Sequence, residues 1–368
     1  MQELAQKGHT RQTVINALQM KTGSRQIKFR YDLLDKNDNY KKTLTTVIDG
    51  EVSMSAFADI KRTARFTVKD DNSIDWLNDR IQPFFMLKLG LDWLEWPLGV
   101  FILSSPKKTD NVIVTREVEA YDLSQILIDD KFADRYAINA GTNYITAIKA
   151  LLQGAGITKI NIAATDKVLS TAREFEIGTT KLNAINKLLS EINYTQLIVD
   201  EYGYFVSSPY RSPTDRVSEY TYKDDNMSIL ANGMTEELDL FNVPNKWVVV
   251  LSNPELEPLS SVYTNDNPDS ITSTVSRGRT IVDFREVDNI ADQESLDAYV
   301  QRIANNASQV YGYINFETAI MPHHSYSDVM NLEYSKLGIV GKYSETNWTL
   351  PLQAGAMMQH QVRKVVII

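Results

Sequence analysis

Cysteine is absent from the 368-residue sequence, so disulfide frameworks, cysteine-based zinc ribbons and thiol catalysis are excluded. This absence leaves the redox compartment of the protein open. The sequence also lacks any run of about 18 apolar residues, and its start lacks a basic segment followed by an apolar stretch. We therefore expect neither membrane insertion nor export by a signal peptide.

Positive charge is scarce as well. The chain has 38 Lys and Arg residues against 47 Asp and Glu residues, which gives a formal net charge of -9. A broad phosphate-binding surface is therefore not expected, and no sequence-specific nucleic-acid binding is predicted. The hydrophobic fraction of 43% and the charged fraction of 23% are those of an ordinary globular protein. The length predicts two or three domains.

Alternation of apolar and polar residues with a period of two begins after residue 24. It is clear in the runs 27–33 and 64–68, and this period is typical of half-buried strands. The pattern predicts an antiparallel β domain over residues 25–121. Residues 1–24 are polar with scattered apolar positions, and we expect them to form an N-terminal arm that reaches a neighbouring subunit.

The hydrophobic period becomes helical after residue 121. Thr179 or Thr180 precedes a stripe with helical spacing, and a hairpin over 196–207 follows it, turned at Gly203. These features predict a small α+β module over residues 122–210. The stripe, which we expect to be core, consists of Leu182, Ile185, Leu189 and Ile192.

The last part of the chain, residues 211–368, returns to a β pattern. It contains a short buried strand at 247–251 and a helix at about 292–308 that opens with Asp292, and four further strands follow. We predict a second β domain here. The fold class predicted for the whole chain is α+β, mainly β, with two β domains flanking the small module.

Histidines cluster only at His323 and His324, with Asp328 nearby and His360 distant in sequence. Adjacent residues on a strand point to opposite faces, so both imidazoles would reach one metal ion only if a bend re-aimed them. No His-Glu-x-x-His spacing is present. The pattern favours a solvated loop before a hairpin over a metal site, and we predict no metal site.

Other catalytic constellations are missing too. The sequence contains neither a Gly-x-Ser-x-Gly elbow nor a glycine-rich phosphate loop. Its paired carboxylates, at 70–71, 129–130 and 224–225, fall where turns or helix ends are expected. Such positions favour solvated side chains over the raised-pKa acid of a glycosidase. We therefore predict no catalytic residues and no cofactor.

Two tryptophans, Trp93 and Trp96, offer a possible stacking surface for sugars or bases. Aliphatic residues alternate through the same segment, which favours core packing of these side chains.

Three parts of the chain carry a likeness to a known family. They comprise a strand, a polar segment and the Trp96-Pro-Leu-Gly turn of the first β domain; the helix and hairpin of the module; and several motifs near the C-terminus. In these regions the sequence resembles the tail hub (baseplate hub) family of tailed bacteriophages and contractile injection systems, including the N-terminal part of siphophage tail-associated proteins. The segments concerned are 62–68, 74–81, 96–103, 181–206, 327–332, 338–343 and 351–358.

The resemblance implies a homotrimer with two tube-like antiparallel β-barrel domains per chain, so that six similar modules surround a channel for DNA ejection. Such a hub joins the sixfold tail tube to the threefold tail tip or spike. The partners it implies are the tail tube protein, distal tail or baseplate proteins, the tape measure protein, and a spike or lysin. The location it implies is the virion, with assembly in the bacterial host cytoplasm. The acidic charge would suit a conduit that repels DNA.

A hub of this kind needs no catalytic residues, although some family members carry a peptidoglycan-degrading domain. Here the last β domain is expected to run to residue 368, so we expect any wall-degrading activity to reside in a partner. Two alternatives remain from the residues themselves. One is a cell-wall-degrading tail enzyme that acts through carboxylates or a His323/His360 metal site, and the other is a carbohydrate-binding tail adhesin that uses Trp93 and Trp96.

Overall fold

A computed structural model describes residues 1–21, 23–110, 112–226, 228–239, 241, 243–309 and 312–368. The helices are α1 Arg11–Leu18, α2 Gln125–Asp129, α3 Tyr144–Gly154, α4 Lys181–Glu191, α5 Thr274–Arg277 and α6 Gln293–Ser308. The first strands are β1 Ile27–Leu34, β2 Tyr40–Leu44, β3 Val47–Ser55, β4 Arg62–Lys69, β5 Arg80–Leu89, β6 Asp92–Pro97, β7 Phe101–Leu103, β8 Lys107–Thr109, β9 Thr115–Asp122, β10 Tyr136–Ile138, β11 Ile160–Ile162 and β12 Arg173–Phe175. The remaining strands are β13 Ile198–Val199, β14 Phe205–Ser207, β15 Tyr220–Lys223, β16 Thr235–Leu238, β17 Lys246–Leu251, β18 Ser260–Thr264, β19 Val282–Val287, β20 Gly312–Ala319, β21 Val329–Tyr334, β22 Ile339–Pro351 and β23 Met357–Lys364.

Strands account for 40% of the chain and helices for 16%, which confirms the predicted α+β, mainly β class. Among the described residues, the largest sheet has 15 strands, in the order β16-β20-β23-β22-β3-β4-β9-β7-β5-β1-β2, with β15, β21, β6 and β8 paired off this path. Strands from both predicted β regions therefore share one hydrogen-bonded sheet.

The connection between the two β regions is the antiparallel pairing of β3 with β22. Val52 pairs with Leu350 and Met54 pairs with Trp348, and all four side chains are buried. Burying a large apolar side chain stabilises a fold by about 1.5–3 kcal/mol. Residues from both regions accordingly contribute to one hydrophobic core.

The middle of the chain contains helices α2, α3 and α4 with short strands, and it supplies most of a second hydrophobic core, to which Leu34 and Val100 of the first β region also belong. The predicted stripe Leu182, Ile185, Leu189 and Ile192 is buried, so its assignment to the core is confirmed. Thr180 is the N-cap of α4, where its side chain accepts a hydrogen bond from the Asn183 backbone N–H. The hairpin is also present, as β13 paired antiparallel with β14.

Residues 246–308 form a further small unit within the last predicted region. Here β17 lies between β18 and β19, and α6 packs on one face of this sheet through Leu296, Val300 and Ile303 around Trp247. The predicted strand at 247–251 and helix at about 292–308 are both confirmed, with Asp292 as the helix N-cap. Parallel pairing of β17 with β19 was not visible in the sequence, because periodicity does not specify a partner strand.

The N-terminal residues 1–21, which the sequence predicted to be part of an arm that reaches a neighbouring subunit, pack on their own chain. Leu4, Val14 and Leu18 are fully buried in the main core of their own chain. The Trp96 indole N–H donates to the Glu3 carbonyl at 2.9 Å, which holds this segment against β6. Val14 and Leu18, four residues apart, share the buried face of α1, and Leu4 enters the core from the segment before that helix.

One buried ion pair joins the sheet to the module. Arg62 on β4 donates to Glu201 Oε1 at 2.5 Å, and the Ser325 hydroxyl donates to the same oxygen at 2.6 Å. Glu201 lies in the turn between β13 and β14, whereas Ser325 belongs to the loop between β20 and β21. Three parts of the chain therefore meet at one carboxylate.

We expect Arg62→Met to lower the free energy of unfolding by about 3–5 kcal/mol, because it leaves the Glu201 carboxylate buried without its cation. The measurement is urea denaturation followed by circular dichroism. Arg65→Met is the matched control on the same strand: its side chain is 62% exposed and its ion pair with Glu51 spans 3.5 Å, so its loss should cost less than about 1 kcal/mol. Equal, small effects of the two substitutions would contradict this account of the junction.

Candidate functional site

The histidines are the clearest departure from the sequence-based expectation. His323, His324 and His360 are 0%, 2% and 3% exposed, so the prediction of a solvated loop at His323 and His324 was wrong. The loop between β20 and β21 folds into the core instead of projecting into solvent. The polar side chains of this loop can be buried because hydrogen-bond and ion-pair partners on several strands are available to them.

A β-bulge in β22 directs Glu345 into this cluster. The pairing of β22 with β23 shifts register between Glu345 and Asn347, so that one extra residue interrupts the alternation. As a result Tyr343 and Glu345 face the core before the bulge, and Trp348 and Leu350 face it afterwards. Large apolar residues occupy an odd-numbered position before the bulge, at Tyr343, and even-numbered positions after it, at Trp348 and Leu350. This change of phase was the sequence signal for the bulge.

Glu345 lies between two imidazoles. Its Oε2 is 2.7 Å from His324 Nδ1, and its Oε1 is 2.6 Å from His360 Nδ1. Asp328 Oδ2 lies 3.5 Å from His324 Nδ1 and accepts a hydrogen bond from the Ser325 backbone N–H at 2.7 Å. Two carboxylates and two imidazoles from one loop and two strands therefore converge on one buried point.

The other nitrogen of each imidazole faces a hydroxyl group. His324 Nε2 is 2.7 Å from the Tyr222 hydroxyl, and His360 Nε2 is 2.9 Å from Thr318 Oγ1. The His360 ring also stacks on Phe316 with 4.8 Å between ring centroids. These contacts fix the orientation of both rings and leave each Nδ1 directed toward Glu345.

Charge in the cluster is balanced by neighbouring groups. Burial lowers the pKa of His324, but the Glu345 and Asp328 carboxylates outweigh this effect and raise it to about 9. Burial raises the pKa of Asp328, but the Met1 amine, at 2.8 Å, and His324 outweigh it and hold that pKa well below its ordinary range. Burial lowers the pKa of both His323 and His360, which favours their neutral forms.

His323 is the exception in this otherwise paired cluster. Its ring lies 4.8 Å from the His324 ring and 5.0 Å from the Tyr220 ring, measured between centroids. Neither of its ring nitrogens has a hydrogen-bond partner among the described residues. A buried polar group without a partner costs about 1–3 kcal/mol.

Metal-ligating geometry is present in part of this cluster. One ligand atom each from His324, Glu345 and His360 lie within 4.8 Å of one another, and all three residues are buried. Imidazole nitrogen and carboxylate oxygen are ordinary ligands of zinc-type ions. His9, the remaining histidine, lies elsewhere and pairs with Asp92 at 3.0 Å.

An open groove lies on the outer face of the sheet formed by β20, β23 and β22, opposite the face that carries the His360 imidazole. Its volume is about 470 Å³, and amide side chains from β20, β22 and β23 line it beside Phe316 and Trp348. Gln361 is hydrogen-bonded to Asn315 at 3.1 Å and also to Asn347. This amide groove consists chiefly of Asn232, Asn315, Asn347, Gln359 and Gln361.

Two of the paired carboxylates, Asp70 and Asp224, have pKa shifts opposite to the one that a glycosidase acid needs. Hydrogen bonding from Lys108 lowers the pKa of Asp70, and hydrogen bonding from Ser335 lowers that of Asp224. A glycosidase acid needs the opposite shift. Asp130 is paired with Lys181 at 2.5 Å.

The surroundings of the two tryptophans also indicate a structural role for their side chains. Trp96 is 1% exposed and belongs to the main core, which confirms core packing for that residue. Trp93 is half-buried, and the Lys28 ammonium lies 4.0 Å from the centroid of its ring. A continuous stacking surface formed by both indoles is therefore absent from the described structure.

Among the described residues, no helix has the length and apolar character needed to cross a bilayer.

Comparison of the sequence with family models and with curated proteins gives no match. Solved structures do match. A tail protein from Neisseria meningitidis MC58 has a TM-score of 0.65 at 11% identity, covering 92% of this chain and 97% of that one. The 43 kDa tail protein of prophage MuSo2 from Shewanella oneidensis has a TM-score of 0.59 at 11% identity, covering 92% and 98% of the two chains.

A similar fold occurs in a secretion-system assembly. A chain of the Francisella PdpA–VgrG complex matches with a TM-score of 0.55 at 9% identity, over 93% of this chain and 53% of that one. The chain thus has a fold found in phage tail proteins and in this complex. The resemblance to tail hub proteins inferred from sequence is confirmed at the level of the fold.

We expect Glu345→Gln to lower the free energy of unfolding by about 3 kcal/mol, because an amide cannot accept hydrogen bonds from two donors while balancing the His324 charge. Thermal and urea denaturation would measure the effect. Glu317→Gln on the neighbouring β20 is the control, since Glu317 is exposed and its contact with Gln359 spans 3.4 Å. A neutral Glu345→Gln substitution would show that the cluster contributes little to stability.

Proposed function

We propose that this chain is a structural virion protein, the hub that joins a sixfold tail tube to a threefold tail tip or spike. The observation that carries the proposal is the agreement in fold with whole tail proteins, over 92% of this chain and 97% of the Neisseria protein. Agreement over nearly the full length of both chains supports a shared architecture rather than a shared small motif.

In this proposal the two β regions, 25–121 and 211–368, supply two tube-like barrel domains per subunit, with the module 122–210 at their side. Three subunits would then present six similar units around a channel for DNA. Pairing of β3 with β22 supports the arrangement, because it fixes the two regions in one rigid sheet. Subunit contacts would also cover strand edges that otherwise invite unspecific pairing.

The remaining parts of the proposal follow from that position. The partners would be the tail tube protein, distal tail or baseplate proteins, the tape measure protein and a spike or lysin. The chain would be located in the tail of the virion after assembly in the host cytoplasm. Its formal charge of -9 supports a conduit that does not retain DNA during ejection.

An exposed apolar face supports self-association. This face lies on the side of the β17–β19 sheet opposite α6. There Val262 on β18 and Phe284 on β19 both pair with Val248 on β17. The exposed fractions are 56% for Val262, 53% for Val282 and 57% for Phe284. Adjacent exposed apolar side chains of this kind mark interaction sites. We assign this face to contacts between subunits.

Light scattering should find a mass three times that of one chain, either for the protein alone or after addition of the tail tube protein. Phe284→Lys should reduce the trimer fraction while circular dichroism stays unchanged, because a charge on the contact face opposes burial. Leu91→Lys is the matched control, since Leu91 is 99% exposed in a turn remote from this sheet. A chain that stays monomeric with every tail partner would overturn the proposal.

We also expect the purified protein to lack muralytic activity, since the proposal assigns it a structural role and the pKa values of Asp70, Asp71 and Asp224 are lowered, whereas a glycosidase acid needs a raised pKa. The test is a zymogram containing bacterial cell walls, with lysozyme as the positive control. Clearing at the position of this chain would favour the wall-degrading alternative.

A further inference from the structure

We propose that His324, His360 and Glu345 bind one divalent transition-metal ion of the zinc class, with Asp328 supplying a further carboxylate oxygen. This site is independent of the tail function proposed above. It rests on four buried side chains from a loop and two strands whose ligand atoms converge. The convergence depends on the β22 bulge, which directs Glu345 inward.

The donor set selects the class of ion. Two imidazole nitrogens with carboxylate oxygens suit zinc, cobalt or nickel, whereas calcium and magnesium prefer shells of oxygen ligands. The spacing is also suitable. His324 Nδ1 and His360 Nδ1 lie 2.7 and 2.6 Å from the two Glu345 oxygens. Ligands of a tetrahedral ion at about 2.0–2.1 Å lie about 3.3 Å apart, so binding requires shifts of several tenths of an ångström.

The surroundings of the imidazoles have the form expected around a metal. Metal-bound histidines generally donate their second N–H to a neighbouring acceptor, which fixes the ring and the tautomer. Here the Tyr222 and Thr318 hydroxyls stand at 2.7 and 2.9 Å from the Nε2 atoms of His324 and His360. With the proton on Nε2, both Nδ1 lone pairs are directed at the proposed ion.

A second observation points to a ligand in this region. His323 is fully buried beside His324, and no described residue pairs with either of its ring nitrogens. A bound ion with an attached water would supply the polar partner that this imidazole lacks.

The test is titration of the full chain with Co²⁺, followed by visible absorption and by equilibrium dialysis with elemental analysis. We expect one ion per chain, and displacement of cobalt by Zn²⁺ with loss of the visible bands. Glu345→Gln and His360→Gln should weaken Co²⁺ binding by about 100-fold or more. His9→Gln is the matched control and should bind as the unchanged protein does, because His9 is remote from the cluster.

If the ligand variants fail to fold, Tyr222→Phe and Thr318→Val provide the second test, because they keep every ligand and remove one outer contact. Each should weaken binding by about 10- to 100-fold. Absence of Co²⁺ binding by the unchanged protein would overturn the proposal and leave the cluster as a hydrogen-bonded ion-pair network. The proposal would also be overturned if Glu345→Gln, or both Tyr222→Phe and Thr318→Val, bound Co²⁺ as tightly as the unchanged protein.

Discussion

The antiparallel pairing of β3 with β22 is the constraint on which the rest of the structure depends. These strands lie almost 300 residues apart in sequence, yet their contact joins strands of both β regions into one sheet with a shared core, beside the separate β17–β19 sheet. Closing so long a loop costs chain entropy, which buried apolar side chains on both strands offset. A rigid sheet built from both regions would serve the proposed structural function, since it would fix the relative position of the surfaces that partners contact.

Polar groups buried in this core then determine how the sheet, the module and the loop before β21 pack together. Arg62, Glu201 and Ser325 join the sheet, the module and the loop before β21, while Glu345 joins that loop to β22 and β23. A buried charge is strongly destabilising unless it is paired. Each of these contacts therefore favours the one arrangement of the chain in which its partners meet. The histidine cluster therefore has a structural role with or without an ion, and metal binding would reinforce it.

The sequence was most informative where a single element carries its own periodic pattern. The α4 stripe around Ile185, the helix opened by Asp292 and the alternating strands were predictable because their burial follows from local geometry. The β3–β22 pairing, the inward fold of His323 and His324, and the packing of residues 1–21 were not. Each depends on partners distant in the chain. The β22 bulge is an intermediate case, because its change of phase was visible but the position that Glu345 would occupy was not.

Under the proposed function, the molecule is one component of a hollow, symmetric adaptor whose function lies in its shape. Electron microscopy of the protein mixed with its tail tube protein tests this most directly. The account predicts ring-shaped particles with a central opening and threefold symmetry. Isolated compact monomers, or rings of another symmetry without an opening, would contradict it.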